Sequence, residues 1–337
     1  MDVKSTRRRG DAAEPMQVQW GGIVGQRRFR AMNTGVHLMA IDWRQSALLA
    51  DAERAFHDVE ARFSRFSRDS ELSAFNARDT ECTAVSIQML QLFDLALFFH
   101  RRTGGLFDPA ILPLLEAAGY DRSFEKVVRD DADAPRRLPS PQMSIGQVVL
   151  NREDRTVTAP AGMRIDFGGI GKGYAVDVAA EKLRASGSFL VDAGGDIFAS
   201  GDGPDSDGWL IGVADPVTGE DMDIVPLNDQ AIATSTTAAR RWKRDGAWRN
   251  HIIDPRTGES TRSAVVSVSV IASTATEADI YAKCALMLGP GEGRRFLETQ
   301  RVRGLMVLQD GSVIRSAGWP SIAPVRSEGS LEVCHAE

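Results

Sequence analysis

Thirteen residues, Ile165-Asp166-Phe167-Gly168-Gly169-Ile170-Gly171-Lys172-Gly173-Tyr174-Ala175-Val176-Asp177, place four glycines and a lysine between a short strand signal and a helix. Glycine admits positive φ and lets a backbone approach a ligand closely, and a helix start offers unpaired N–H groups and a positive dipole end to an anion. The chemistry offered is phosphate binding, with Lys172 as a positive charge beside the amides. The stretch is not a Walker A loop, because Asp166 and Gly173 stand where that motif needs Gly and Ser or Thr. Nor is it a dinucleotide fingerprint, since Tyr174 or Val176 falls at the position that requires Gly or Ala. The plain alternative is a Gly-rich turn without a ligand.

Such a cradle needs a helix behind it. That helix is expected to run to about Ser186 and stop at Gly187, followed by a strand over 189–192 and the turn Ala193-Gly194-Gly195-Asp196, a second place where backbone can touch a ligand. Upstream, Val36, Leu38 and Ala40 alternate with His37 and Met39 as in a strand, after the turn-like Asn33-Thr34-Gly35. Ser46 reads as the cap of a helix whose apolar residues Leu48, Leu49, Ala52, Phe56, Val59 and Phe63 recur every three or four positions, with His57 beside that stripe as a surface histidine. Residues 64–73 read as a polar loop whose arginines are solvated or face phosphate. Ser86 caps a second helix that ends at Gly104 and Gly105, and Pro109 forces 106–109 to run extended. The charged, Pro-containing stretch 121–147 reads as a surface excursion. Further strands are expected at 148–150, 156–158, 209–213, 231–234, 265–271 and 304–308, with helices at 276–288 and 291–299.

At 337 residues the chain can bury a sizeable core in one large domain, and its formal charge of −6 argues against nucleic acid as the main partner. Residues 1–22 read as a loosely attached tail, 23–324 as one domain and 325–337 as a C-terminal tail. Cys82, Cys284 and Cys334 are far apart and odd in number, which suggests neither a disulfide framework nor a zinc site and fits the cytoplasm. Arg7-Arg8-Arg9 is followed by no apolar run, no lipid-attachment cysteine lies near the start, and no segment reaches membrane-spanning length. The expectation is a cytoplasmic protein without membrane insertion.

Several segments taken in order resemble the ApbE family, the FAD:protein FMN transferases. They are Arg30-Ala31-Met32-Asn33-Thr34, Arg68-Asp69-Ser70-Glu71-Leu72-Ser73, Thr103-Gly104-Gly105-Leu106-Phe107-Asp108-Pro109 and the cradle. Asp192-Ala193-Gly194-Gly195-Asp196, Ile232-Ala233-Thr234-Ser235, His251-Ile252-Ile253-Asp254-Pro255-Arg256-Thr257-Gly258 and Glu277-Ala278-Asp279 follow. The resemblance implies a single α+β domain, related to the T-fold, with mixed or antiparallel sheets and packed helices. It implies FAD as substrate and a target flavoprotein as partner, whose Thr or Ser hydroxyl receives FMN while AMP is released with help from Mg²⁺.

Residue by residue, the resemblance maps FAD contacts to Met32, Phe66, Leu106, Phe107, Asp108, Asp177, Gly195 and Ser235, with Lys172 at the pyrophosphate. It maps metal ligands to the backbone carbonyl of Gly171 and the carboxylate of Asp279, but the third position, a hydroxyl in the family, is Lys283 here. His251 would take the proton of the incoming hydroxyl, and Asp254 would orient it or face the phosphates. Two alternatives stay open: FAD hydrolysis to FMN and AMP at the same site, with water as acceptor, and, favoured by Lys283, an FAD-binding protein without catalysis.

Overall fold

The computed structural model describes residues 25–122, 143–204, 208–244, 247–322 and 334–336. The tail at 1–22, most of the excursion within 121–147 and most of the C-terminal tail therefore lie outside the described residues.

In chain order the elements are β1 (Gly25–Ala31), β2 (Thr34–Ala40), α1 (Ser46–Phe63), α2 (Glu71–Asn76), β3 (Cys82–Ala84), α3 (Ile87–Arg102), α4 (Leu112–Ala117), β4 (Val149–Asn151) and β5 (Thr156–Thr158). Then come α5 (Gly171–Leu183), β6 (Phe189–Ala193), β7 (Ile197–Ser200), β8 (Trp209–Ala214), β9 (Asp221–Leu227), β10 (Gln230–Thr236), β11 (Arg241–Arg244) and β12 (Ala247–Asn250). The last are β13 (Ile253–Asp254), β14 (Glu259–Ser260), β15 (Val265–Ala272), α6 (Ala275–Gln300), β16 (Arg303–Leu308), β17 (Val313–Arg315) and β18 (Cys334–Ala336).

Eight strands form one sheet in the order β1-β2-β6-β7-β10-β15-β16-β17, antiparallel throughout. Its strands are apolar on both faces because both are covered. Val36, Leu38, Val191, Ala193, Ala231, Ala233, Val268 and Val270 meet the helices α1, α3, α5 and α6. Met39, Leu190, Ile197, Ile232 and Ile271 meet Trp209, Ile211, Val213, Val225 and Leu227 of the β8–β9 pair on the other side. The expected α+β architecture is thus present, with helices segregated to one face.

Local departures from the sequence reading have local causes. Asp42, not Ser46, is the capping side chain at the entry to α1: it accepts from Arg44 N at 3.0 Å and caps a single 3₁₀ turn that Ser46 follows. The 64–73 segment is not all loop, because Ser70 accepts from Ser73 N at 3.0 Å and starts α2, whose six residues are too few to show a period. Between β1 and β2, Met32 and Asn33 both take positive φ (52° and 61°), which makes a hairpin where only the second strand was expected. In the C-terminal segment read as a tail, β18 pairs parallel with β8. The two helices expected at 276–288 and 291–299 are both present, as the two parts of α6 on either side of a break at Gly289 (φ 81°) before Pro290.

The contact that positions the site is that of α5 with α6. A Cβ added to Gly173 would lie 2.7 Å from Ala275 O and 2.7 Å from Thr276 Cα, so only glycine allows this approach. Asp177, one turn further along α5, accepts from Ala275 N at 2.7 Å, Thr276 N at 2.9 Å and Thr276 Oγ1 at 2.5 Å. Three donors at the start of α6 are thereby satisfied by a carboxylate on its neighbour. Gly173→Val is expected to lower stability by about 1–3 kcal/mol through overpacking against backbone, read as a lower urea midpoint with an unchanged m-value.

Candidate active site

The cradle, the 106–109 loop, the end of β10, the His251 segment and α6 surround a cavity of about 290 Å³, close to the lower end for small-molecule pockets. Asp166 opens the cradle by accepting from Gly168 N at 3.1 Å, and the helix proper begins at Gly171. Lys172 therefore leaves the first turn of α5 pointing into the cavity, opposite Asp279 and Lys283 one turn apart on α6.

Two acid–base pairs lie at one side of the cavity, with Lys172, Asp279 and Lys283 lining it and Asp196 behind Lys172. Lys172 Nζ lies 2.9 Å from Asp196 Oδ2, and Lys283 Nζ contacts Asp279 Oδ1. Both aspartates are buried. Burial, then the neighbouring Asp279 charge, push the Asp196 carboxyl up to about 6 against the pull of Lys172 and Lys283. For Lys172, burial disfavours the ammonium, but Asp196 and Asp279 outweigh it and hold the pKa above its ordinary value.

His251 lines the same cavity, with its Nδ1 shielded from solvent and without a hydrogen-bond partner. Burial first, and then the positive charges of Arg240, Lys283 and Lys172, drive its pKa down to about 3. The imidazole is therefore neutral at physiological pH, with a lone pair available.

The structure brings together Phe66, Leu106, Phe107, Asp108, Lys172, Ser235, His251, Asp279 and Lys283 on the cavity wall. Asp108 does so mainly as a loop brace, because its Oδ1 accepts from Ala110 N at 2.9 Å and Ile145 N at 3.0 Å. Met32 sits behind the wall: its N–H reaches Glu60 Oε1 at 2.8 Å, and its Cε lies 3.3 Å from where a Cβ on Gly171 would be. Gly194 rather than Gly195 lines the cavity, and Gly195 N is tied to Asp192 Oδ1 at 3.0 Å.

Two of the expected site residues have other partners in the structure. Asp177, mapped to an FAD contact, lies outside the cavity lining, and both its oxygens serve the start of α6. Asp254, expected to orient His251 or to face the phosphates, instead grips its own turn: it accepts from Arg256 N at 2.9 Å and Nη2 at 2.7 Å. Burial raises its carboxyl, but the Arg256 hydrogen bonds outweigh that and hold it below the usual carboxylate range. A carboxylate two residues from an arginine finds that partner before a more distant histidine.

Tyr120, Arg240 and Asp196 escaped the sequence reading, which leaves Arg65 between solvent and phosphate. Arg65 lies 4.2 Å from the Phe66 ring and 4.8 Å from the Tyr120 ring, building an aromatic–guanidinium rim with its Nη2 on Tyr120 O at 2.8 Å. Arg240 lines the wall beside His251, and Asp196 lies under Lys172. Arg65 carries a signal as an arginine of the 64–73 loop, and Asp196 as the acid of the Gly-Gly-Asp turn; Tyr120 and Arg240 carry none.

An antiparallel sheet that presents a glycine-rich helix start, two lysines and a neutral histidine to one cavity defines a site for a phosphate-bearing ligand. A sequence model of the ApbE family matches residues 32–306, and the chain belongs to that family. It is 34% identical over 269 residues to the FAD:protein FMN transferase of Treponema pallidum (strain Nichols), covering 74% of this chain and 74% of that one. It is 28% identical over 284 residues to the FAD:protein FMN transferase of Klebsiella pneumoniae (strain 342), covering 82% and 81%. Among solved structures, the ApbE protein of Thermotoga maritima MSB8 matches with a TM-score of 0.76 at 28% identity, over 87% of this chain and 97% of that one. The flavin transferase ApbE of Vibrio cholerae matches with a TM-score of 0.70 at 26% identity, over 87% and 98%.

The depressed His251 pKa has a consequence for stability. Its folded value of about 3 lies below the ordinary 6.5, so as pH falls the unfolded chain takes up the proton first. The stabilising contribution is complete above about pH 6.5 and declines by about 1.4 kcal/mol per unit below it until the folded pKa is reached. Urea melts at pH 7.5 and 5.5 should therefore show an acid-induced loss smaller by about 1 kcal/mol in His251→Gln than in the wild type.

Proposed function

We propose that this chain transfers FMN from FAD to a threonine or serine hydroxyl of a target flavoprotein and releases AMP. The observation that carries the reading is the convergence of the cradle, Lys172, Lys283 and neutral His251 on one cavity, in a chain whose curated relatives are named for that activity. The hydroxyl oxygen forms a bond to the phosphorus of the FMN half, and the bond from that phosphorus to the oxygen of the AMP phosphate breaks. Catalysis of such a transfer is mostly positioning and charge stabilisation. Lys172, Lys283 and the amides of the cradle bind the pyrophosphate and offset the charge gathering on the AMP side.

His251 accepts the proton of the attacking hydroxyl. A pKa near 3 makes a weak base, but the cause is partly the surrounding cations. A pyrophosphate placed among Arg240, Lys283 and Lys172 neutralises them and raises the imidazole back toward working pH. Phe66 and Tyr120, with Arg65 between them, give a ring system an apolar face at the cavity mouth.

The family resemblance calls for magnesium, and the donors here fit it poorly. Asp279 Oδ2 is buried without a partner, which suits a cation, but the ammonium of Lys283 already occupies Oδ1 of the same carboxylate. A divalent ion would sit beside a fixed positive charge, and a lysine offers none of the hard oxygen ligands that Mg²⁺ requires. No step above passes through a metal; Lys283 supplies a resident charge in that place.

Incubation with FAD and a Thr-bearing acceptor domain tests the reading, with covalent flavin detected by in-gel fluorescence and AMP measured alongside. Acceptor-dependent AMP is expected. Acceptor-independent AMP would make the chain a hydrolase, and FAD binding without AMP would make it a binder. His251→Ala should lower the transfer rate by roughly 10²–10⁴ while FAD affinity stays within a few-fold. FAD affinity of the wild type should be insensitive to Mg²⁺ and EDTA, whereas Lys283→Thr should bind FAD weakly without Mg²⁺ and recover affinity as the ion is titrated in. Equal Mg²⁺ dependence in both proteins would remove Lys283 from the site's charge balance.

A further inference from the structure

The acid beneath the cradle lysine does not itself reach the cavity. The Asp196 side chain is 0% exposed and that of Lys172 is 20% exposed, so the order from core to cavity is carboxylate, then ammonium. Asp196 closes the β6–β7 turn, where Gly194 and Gly195 take φ of 61° and 90° and Ala193 N donates to Asp196 O at 3.0 Å. A Cβ on Gly194 would overlap Thr34 Oγ1, so the turn is pressed against the β1–β2 hairpin and the carboxylate has a fixed address. Apart from the Lys172 ammonium, neither of its oxygens has a hydrogen-bond partner among the described residues. A buried carboxylate left in that state is costly unless an opposite charge compensates it, and the ammonium of Lys172 at 2.9 Å is that charge.

We propose that Asp196 is the positioning residue of the cradle: it holds the Lys172 ammonium at the cavity wall, and it acts on the ligand only through that lysine. The inference rests on the FAD reading above. A lysine side chain has four rotatable bonds, and freezing them is a cost of binding when the ammonium starts free in solvent. Here the carboxylate has already fixed the ammonium, taking one side of it and leaving the other toward the anionic oxygens of a pyrophosphate. Asp279 plays no equivalent part, because that residue is itself part of the cavity lining, whereas Asp196 lies behind the residue it serves.

A double-mutant cycle on FAD affinity tests this, using wild type, Asp196→Asn, Lys172→Met and the double variant, with AMP release at saturating FAD as a second readout. Asp196→Asn should weaken FAD binding roughly 10-fold or more, raising KM, and should lower kcat no further than Lys172→Met does. The double variant should bind no worse than Lys172→Met alone, because the acid has no route to the ligand once the lysine is gone. Wild-type affinity in Asp196→Asn, or losses that multiply in the double variant, would overturn the inference and leave the FAD reading intact. A wild type that binds no FAD would overturn both. Should Asp196→Asn fail to fold, recovery of folding in the double variant would support the coupling to Lys172, and failure of both would overturn it.

Discussion

The start of α6 is bound by a carboxylate that belongs to another helix, and the site is built outward from that contact. Asp177 receives both amides and the Thr276 hydroxyl, and Gly173 removes the side chain that would otherwise hold the two backbones apart. With α5 and α6 joined at their N-terminal turns, Lys172 lies just before the contact on one helix. Asp279 and Lys283 lie just after it on the other. Their meeting in one cavity follows from helix geometry once that contact is made.

The charges of the cavity depend on one another. Two lysines and two aspartates alternate in a buried region, where removing any one leaves an uncompensated partner. Burial first, and then the same cations that suit the cavity to an anion, keep His251 neutral, so the electrostatics that attract a pyrophosphate add to what holds the histidine in its proton-accepting form. Anion binding and base strength are thus coupled. A ligand that neutralises the lysines strengthens the base at the moment when a hydroxyl needs it.

The sheet gives this arrangement its rigidity. Covered on one face by helices and on the other by β8 and β9, it carries the β6–β7 turn that places Asp196 and the end of β10 that places Ser235. Sites mounted on strand ends and helix starts hold their geometry better than sites on free loops. The rim formed by Arg65, Phe66 and Tyr120 lies on connecting segments, joined by stacking and the Arg65–Tyr120 hydrogen bond and tied to the cradle by Arg65 Nε at 3.4 Å from Asp166 Oδ1.

Much of this was legible in the sequence, because it is encoded over short spans. The period of α1 and α3, the alternation in β2 and β15, the stops at Gly104, Gly105 and Gly187, and the cradle itself all depend on residues within a few positions of one another. The ordered motifs identified the family and with it most of the cavity wall. Tertiary structure decided the partnerships. Asp177 meets Thr276 across 99 residues, and Arg65 meets Tyr120 across 55. Asp254 turned to the nearby Arg256 and away from His251, although spacing alone allowed either. Local order depends on backbone preference and side-chain period, which a linear chain displays. The partner of a buried charge depends on which distant segments the fold brings within a few ångströms, and for Asp196, Asp177 and Asp254 only the packed structure holds that information.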